Sequence, residues 1–101
     1  MATTRAMRGI KRTPKTTKQF EGDYRLMVKR GKDIQKLKTI MRQLVNQQTL
    51  ESKYHDHALR GNLRGHRDCH LEPDWILMYR IDKDLEEITF VRTGSHADLF
   101  G

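Results

Sequence analysis

The chain has 101 residues, of which 36% are hydrophobic and 33% charged. That length supports one domain with a modest core, and no apolar run approaches the roughly 20 residues of a membrane span. The formal net charge of +7 makes a polyanion, whether RNA, DNA or an acidic protein, the expected partner.

The charge is unevenly spread. Residues 1–45 carry 13 Lys and Arg against 3 Asp and Glu, whereas residues 46–101 carry 7 against 10, together with all five histidines. One part resembles a phosphate-attracting surface, and the other holds the groups that titrate near neutral pH. The start of the chain lacks the apolar core and small-residue cleavage site of a secretory signal. The single cysteine, Cys69, has no partner for an internal disulfide. Both features lead us to expect a reducing compartment, the cytoplasm.

Residues 1–8 have little apolar content and are expected to fray. Residues 9–13 read as a short strand that Pro14 closes or marks as an edge. Thr16 or Thr17 can cap a helix over 17–29, in which Phe20, Tyr24, Met27 and Val28 recur at helical spacing. Gly22 interrupts this pattern at a cost of about 1 kcal/mol relative to alanine, and Gly31 ends it. Asp33 opens a second helix with an apolar stripe of Ile34, Leu37, Ile40, Met41, Leu44 and Val45. The short break at 30–32 implies a helical hairpin, and residues 46–49 end the second helix.

A polar loop is expected over 49–62, followed by strands at 63–71, 75–81 and 87–92. Both faces of 75–81 are largely apolar, so this strand should be central and buried. Asp82-Lys83-Asp84 is a turn sequence that joins it to the last strand. The tail, 94–101, ends in Leu99-Phe100, which can fold back on the body. The order β-α-α-β-β-β indicates an α+β fold: two helices on one face of a small, mostly antiparallel sheet.

Alternation along 63–71 puts Arg64, His66, Asp68 and His70 on one face, with Leu63, Gly65, Arg67, Cys69 and Leu71 on the other. The polar face should meet solvent or a cleft. Cys69, opposite His70, reads as a small core residue rather than a nucleophile. His55, His57, Asp74 and His96 lie close to this strand in sequence. Three readings follow: idle surface histidines; a metal site from His66-x-Asp68-x-His70 or His55-x-His57; or acid–base catalysis on RNA. Metal chemistry has no CxxC or HExxH behind it. Cleavage of RNA by its own 2′-hydroxyl needs a base, an acid and a cation, and histidine with arginine or lysine supplies all three without a metal. No nucleotide-binding or esterase motif is present.

Three stretches carry a resemblance. They are Tyr54-His55-Asp56-His57-Ala58-Leu59-Arg60-Gly61, Gly65-His66-Arg67-Asp68-Cys69-His70-Leu71-Glu72-Pro73-Asp74-Trp75, and Arg92-Thr93-Gly94-Ser95-His96-Ala97-Asp98-Leu99-Phe100. Together they are similar to the YafQ branch of the RelE-type toxins of bacterial type II toxin–antitoxin systems, over roughly residues 15–101. The resemblance implies a RelE-like fold and a ribosome-dependent endoribonuclease that cuts mRNA in the A site, leaving a 5′-hydroxyl and a cyclic or 3′ phosphate. It implies a catalytic set of His57, His70, Asp74 and His96, with Arg92 at the phosphate and Phe100 placing the mRNA base. No metal or other cofactor is expected. His55 and His66 receive no role.

The implied partners are a cognate antitoxin, the ribosome with its mRNA, and operator DNA only through the antitoxin complex. No membrane is implied. Lys29, Arg30, Lys32, Lys36, Lys38 and Arg42 would form much of the surface for ribosomal RNA, and the same surface could receive an acidic antitoxin segment that folds on binding. Residues 1–6 look like extra sequence before the family's usual start, which would make Met7 the initiator, and Gly22 stands where a larger residue is expected. The alternative function is a non-catalytic nucleic-acid-binding module that acts with an antitoxin at an operator.

Overall fold

A computed structural model of the chain describes residues 11–101, so the expectations for residues 1–8 and for Met7, and the first two residues of the strand expected at 9–13, lie outside the described residues. The elements in order are β1 (Thr13–Thr16), α1 (Lys18–Lys29), α2 (Ile34–Val45), β2 (His57–Ala58), β3 (His66–Glu72), β4 (Trp75–Asp82), β5 (Glu87–Gly94) and α3 (His96–Phe100). The strands form one sheet in the order β1-β5-β4-β3-β2. β1 runs parallel to β5, and the other pairs are antiparallel.

The helical hairpin forms as its punctuation dictates. Thr17 caps α1 by accepting from the Phe20 N–H at 2.9 Å, and Asp33 caps α2 by accepting from the Gln35 N–H at 3.1 Å. Gly31, at φ +80°, closes α1 while the N–H groups of Gly31 and Lys32 donate to Val28 and Met27. Phe20, Met27, Leu37, Ile40 and Leu44 are buried against Cys69, Leu71, Trp75, Leu77, Tyr79, Ile88 and Phe90. Ile34, Met41 and Val45 pack at the edge of this core, but Val28 points away and is 52% exposed. Gly22 has open space about it: an added Cβ would find only an Arg25 guanidinium nitrogen, at 4.0 Å. Gly22→Ala is therefore expected to stabilise the protein by about 0.5–1 kcal/mol, read as a higher denaturant midpoint with an unchanged slope.

β4 is central, and both its faces are buried. Leu77 and Tyr79 join the helix-side core, while Ile76 and Met78 are buried on the other side of the sheet. The turn after β4 is held by Asp82, whose carboxylate accepts from the N–H groups of Asp84 and Leu85.

Several boundaries differ from the sequence reading, and β5 runs on to Gly94 rather than 92. The first strand starts at Thr13 rather than ending there. Thr13 N–H donates to the Glu86 carbonyl, so the amide of residue 14 faces the open side of this edge strand, where proline's missing N–H costs nothing. The third strand starts at His66 rather than 63, because 61–63 form a helical turn and Gly65, at φ +92°, redirects the chain. The loop 49–62 contains a helical turn, Ser52–Tyr54, and the two-residue β2, which pairs with β3. The tail also has structure: Ser95 and Asp98 form a reciprocal capping box that starts α3.

Candidate active site

The candidate site lies on the sheet face opposite α1 and α2, where register brings its parts together. His57 of β2 pairs with Asp68 of β3, which stands opposite Met78 of β4; one step along, His70 stands opposite Ile76, and Ile76 opposite Gly94 of β5. The end of β3, the start of β4 and the end of β5 share one edge of the sheet. The β3–β4 turn, which carries Asp74, therefore meets the first residue of α3, His96.

Asp74 Oδ1 accepts from both the backbone N–H of His96 at 2.8 Å and its ring Nδ1 at 2.6 Å. A carboxylate only accepts, so Nδ1 carries the proton and Nε2 is left for other work. These two bonds, the backbone one first, hold the Asp74 carboxyl below its ordinary range. His70 is the hub: its ring centroid lies 5.5 Å from that of His96, 5.9 Å from His55 and 6.2 Å from His57. Burial lowers the His70 pKa, Asp68 opposes that shift, and the neighbouring imidazoles add to it. His70 is thus biased to its neutral, proton-accepting form.

His57 is held through one nitrogen and faces a carboxylate with the other. Nδ1 donates to the His55 carbonyl at 2.7 Å, and Nε2 lies 3.2 Å from Asp68 Oδ1. The loop that presents it is pinned from behind by Asp56, which accepts from the Tyr79 hydroxyl at 2.5 Å and from Arg67 Nε at 3.2 Å. A cavity of about 480 Å³ opens beside His70, between Lys36, Lys53, Tyr54, His55 and Glu72, roomy enough for a nucleotide. On the other side of the hub, Phe100 is 49% exposed, with its ring 6.4 Å from His96.

The structure thus gathers His57, His70, Asp74 and His96, with Phe100 at the rim. Arg92 is committed elsewhere. Its guanidinium makes two hydrogen bonds to Asp23 of α1, at 2.7 and 3.2 Å, and the same carboxylate takes the Thr93 N–H. Asp23 thereby caps β5 past the end of β1. His66 lies apart, bonded to the Leu63 carbonyl. Four strand residues separate it from His70 by about 13 Å, so the alternation that suggested a shared metal does not bring these rings together. Among the described residues, no group of three His, Cys, Asp or Glu is placed to hold a metal ion.

Of the six basic residues, Arg30 is forked onto Asp98 at 2.7 and 3.1 Å, and Lys32 and Lys36 both hold Glu72 at 3.1 Å. Lys29, Lys38 and Arg42 stand exposed. Cys69 is fully buried, and burial pushes its thiol pKa up, so it is an inert core residue. The fold brings in two residues that the sequence offered only as possible metal ligands: His55, and Asp68, which is only 3% exposed on the strand face expected to be open. The alternation that selected His70 also selected Asp68, but its contact with His57 depends on β2, a strand too short to show a period.

The family model "Bacterial toxin of type II toxin-antitoxin system, YafQ" matches residues 12–101. The mRNA interferase toxin YafQ of Escherichia coli is 45% identical over 93 residues, which are 91% of this chain and 99% of that protein. The crystal structure of the E. coli DinJ–YafQ toxin–antitoxin complex contains a chain that is 44% identical, with a TM-score of 0.83 covering 91% of this chain and 100% of that one. A metal-bound toxin from Helicobacter pylori is 42% identical, with a TM-score of 0.82 covering 87% and 98%. No helix among the described residues is long and apolar enough to cross a membrane. By sequence and by fold, this chain belongs to the YafQ family of type II toxin–antitoxin toxins.

Proposed function

We propose that the chain is the toxin half of such a system: a cytoplasmic endoribonuclease that cuts ribosome-bound mRNA in the A site, by 2′-hydroxyl attack and without a metal. The observation that carries this reading is the His70 hub, a depressed imidazole between His57 and the His96–Asp74 pair.

In this mechanism, neutral His70 takes the 2′-hydroxyl proton, and the 2′-oxygen attacks phosphorus. As the bond from phosphorus to the 5′-oxygen breaks, His96 Nε2 gives that oxygen a proton, while Asp74 stabilises the imidazolium and fixes its ring. The products are a 2′,3′-cyclic phosphate and a 5′-hydroxyl. Phe100 offers its exposed face to a base of the mRNA. Arg92 is bound to Asp23, so it steadies the edge of β5 beside the site and reaches a phosphate only by leaving that carboxylate. Lys29, Lys38 and Arg42 supply uncommitted charge to ribosomal RNA phosphates; Arg30, Lys32 and Lys36 do so only in competition with Asp98 and Glu72. The same basic face, with Val28 exposed on α1, suits an acidic antitoxin segment that folds on binding.

The test is expression of the chain with mapping of mRNA 5′ ends, repeated in vitro on programmed ribosomes with a chelator selective for transition metals and the ribosome's Mg²⁺ retained. Growth arrest and cuts at the A-site codon that persist in chelator are expected. Uncut message with tight nucleic-acid binding would support the non-catalytic alternative, and loss of cleavage in chelator would remove the metal-free mechanism.

A further inference from the structure

The cavity of about 480 Å³ beside His70 takes no part in the proton transfers. His55 and His70 form part of its wall, while His96 and Phe100 do not, so it occupies one flank of the hub. Tyr54 gives it an aromatic side, and Lys36, Lys53 and Glu72 bring charge. The Tyr54 ring already holds the Lys53 ammonium 5.2 Å from its centre, which marks a π-face that a planar or cationic group can use.

The local backbone is bent to build this wall. Ser52–Tyr54 forms one helical turn, and His55 ends it in the left-handed region, at φ +49° and ψ +45°. Glycine or asparagine is the ordinary residue for that conformation, so a histidine there points to a use for its side chain. His55 makes two contacts. Its carbonyl accepts from His57 Nδ1 at 2.7 Å, and its ring stands edge-on to His70 with centroids 5.9 Å apart. Any residue would supply the carbonyl; the imidazole serves the cavity. Glu72 takes Lys32 on one oxygen and Lys36 on the other, both at 3.1 Å, bonds that hold its carboxyl below the ordinary range. Each oxygen keeps a second lone pair. An anionic acceptor with an ammonium donor beside it can read the polar edge of a base.

We propose that this cavity is a nucleobase subsite: it receives the base of the nucleotide whose 2′-hydroxyl attacks, stacks it against Tyr54 and the His55 ring, and reads its polar edge with Glu72 and Lys36. This rests on the ribonuclease reading, which sets the direction. His70 accepts a proton from the upstream nucleotide, whereas His96 gives one to the 5′-oxygen of the downstream nucleotide. The cavity opens from His70 on the flank without His96, so its occupant is the upstream base. The short span from the His55 ring to His70 lets that base stay joined to a ribose at His70.

Binding is tested on the free protein with adenosine and guanosine 3′-phosphates, the simplest form of the upstream product, against ribose 3-phosphate. The backbone amide signals of Tyr54, His55 and Leu71 should shift with the nucleotides and not with ribose 3-phosphate. Tyr54→Ala should weaken nucleotide binding about 5- to 100-fold, the loss expected when a stacked base is deprived of its aromatic partner. Its affinity for ribose 3-phosphate should equal that of wild type. Equal wild-type affinities for the nucleotides and for ribose 3-phosphate overturn the inference.

Cleavage is tested on programmed ribosomes with an abasic ribonucleotide immediately upstream of the cut. Wild type should cut this message more slowly than the intact one in a single turnover. Tyr54→Ala should cut both at the same rate, because the contact is already gone; losses that multiply overturn the inference. Glu72→Gln should change the ranking of the four bases at the upstream position. It takes the place of Tyr54→Ala should that variant not fold, and an unchanged ranking overturns the inference. If the 3′-nucleotides occupy the cavity but ribosome-bound message stays uncut, the ribonuclease reading fails and a nucleotide site stands. Cleavage indifferent to the upstream base keeps the ribonuclease and removes the subsite.

Discussion

His96→Ala is expected to lower single-turnover cleavage by about 10²–10⁴-fold, the range lost when a positioned proton-transfer group is removed, and to abolish growth arrest on expression. The fold should survive the change. His96 is exposed at the first position of α3, alanine is a good helix former, and Ser95 still caps the helix through Asp98. The backbone N–H of residue 96 keeps its bond to Asp74, so the carboxylate stays in place with no imidazole to serve. A cleaving His96→Ala protein, with cuts at the same codons and the same rate, would remove His96 from the proton-donor role. Asp74→Asn should cost less, because the ring remains and only its orientation and charge balance suffer.

The second large effect is expected from a single methyl group outside the chemistry. A Cβ added at Gly94 would lie 2.9 Å from Asp98 Cβ and Oδ2, and 3.0 Å from a Leu99 methyl. Asp98 cannot yield cheaply. Its carboxylate takes the Ser95 N–H at 2.8 Å and the Arg30 fork at 2.7 and 3.1 Å, and those bonds, Arg30 first, hold its pKa far below the ordinary range. Gly94→Ala must therefore push α3 off the end of β5, carrying His96 and Phe100 with it. Overpacking of this kind costs about 1–3 kcal/mol, and a catalytic group misplaced by about 1 Å costs about 10²-fold in rate. Thermal unfolding and single-turnover cleavage check the two parts separately. Wild-type cleavage by a folded Gly94→Ala protein would show that the docking of α3 does not set the geometry of His96.

How much of this could be read beforehand depended on the range of the interaction. α1, α2 and β4 follow from periodicity and from capping by Thr17, Gly31 and Asp33, all decided within a few residues. α3 was legible in the same way, since Ser95-x-x-Asp98 is a capping-box pattern, but a five-residue helix has too little period to attract notice. The displaced starts of β1 and β3 turn on which amide faces the sheet at Pro14 and on the left-handed backbone of Gly65, both set by neighbouring strands. Charge was the least legible property. Counting cations marks residues 1–45 as basic, yet Arg30, Lys32 and Lys36 are matched by acids 36 to 68 positions away.

The amino-acid order alone determined the layered α+β fold, the burial of β4, and which residue types could move protons, because hydrophobic period and side-chain chemistry are local properties. Tertiary structure decided which of the five histidines meet, that Arg92 is tied to Asp23, and that Asp68 sits buried beneath His57. The physical reason is that sheet register and the return of α3 to the β3–β4 turn are long-range outcomes of packing. Desolvation and ring-to-ring contact, which set His70 apart from an ordinary imidazole, exist only once that packing is made.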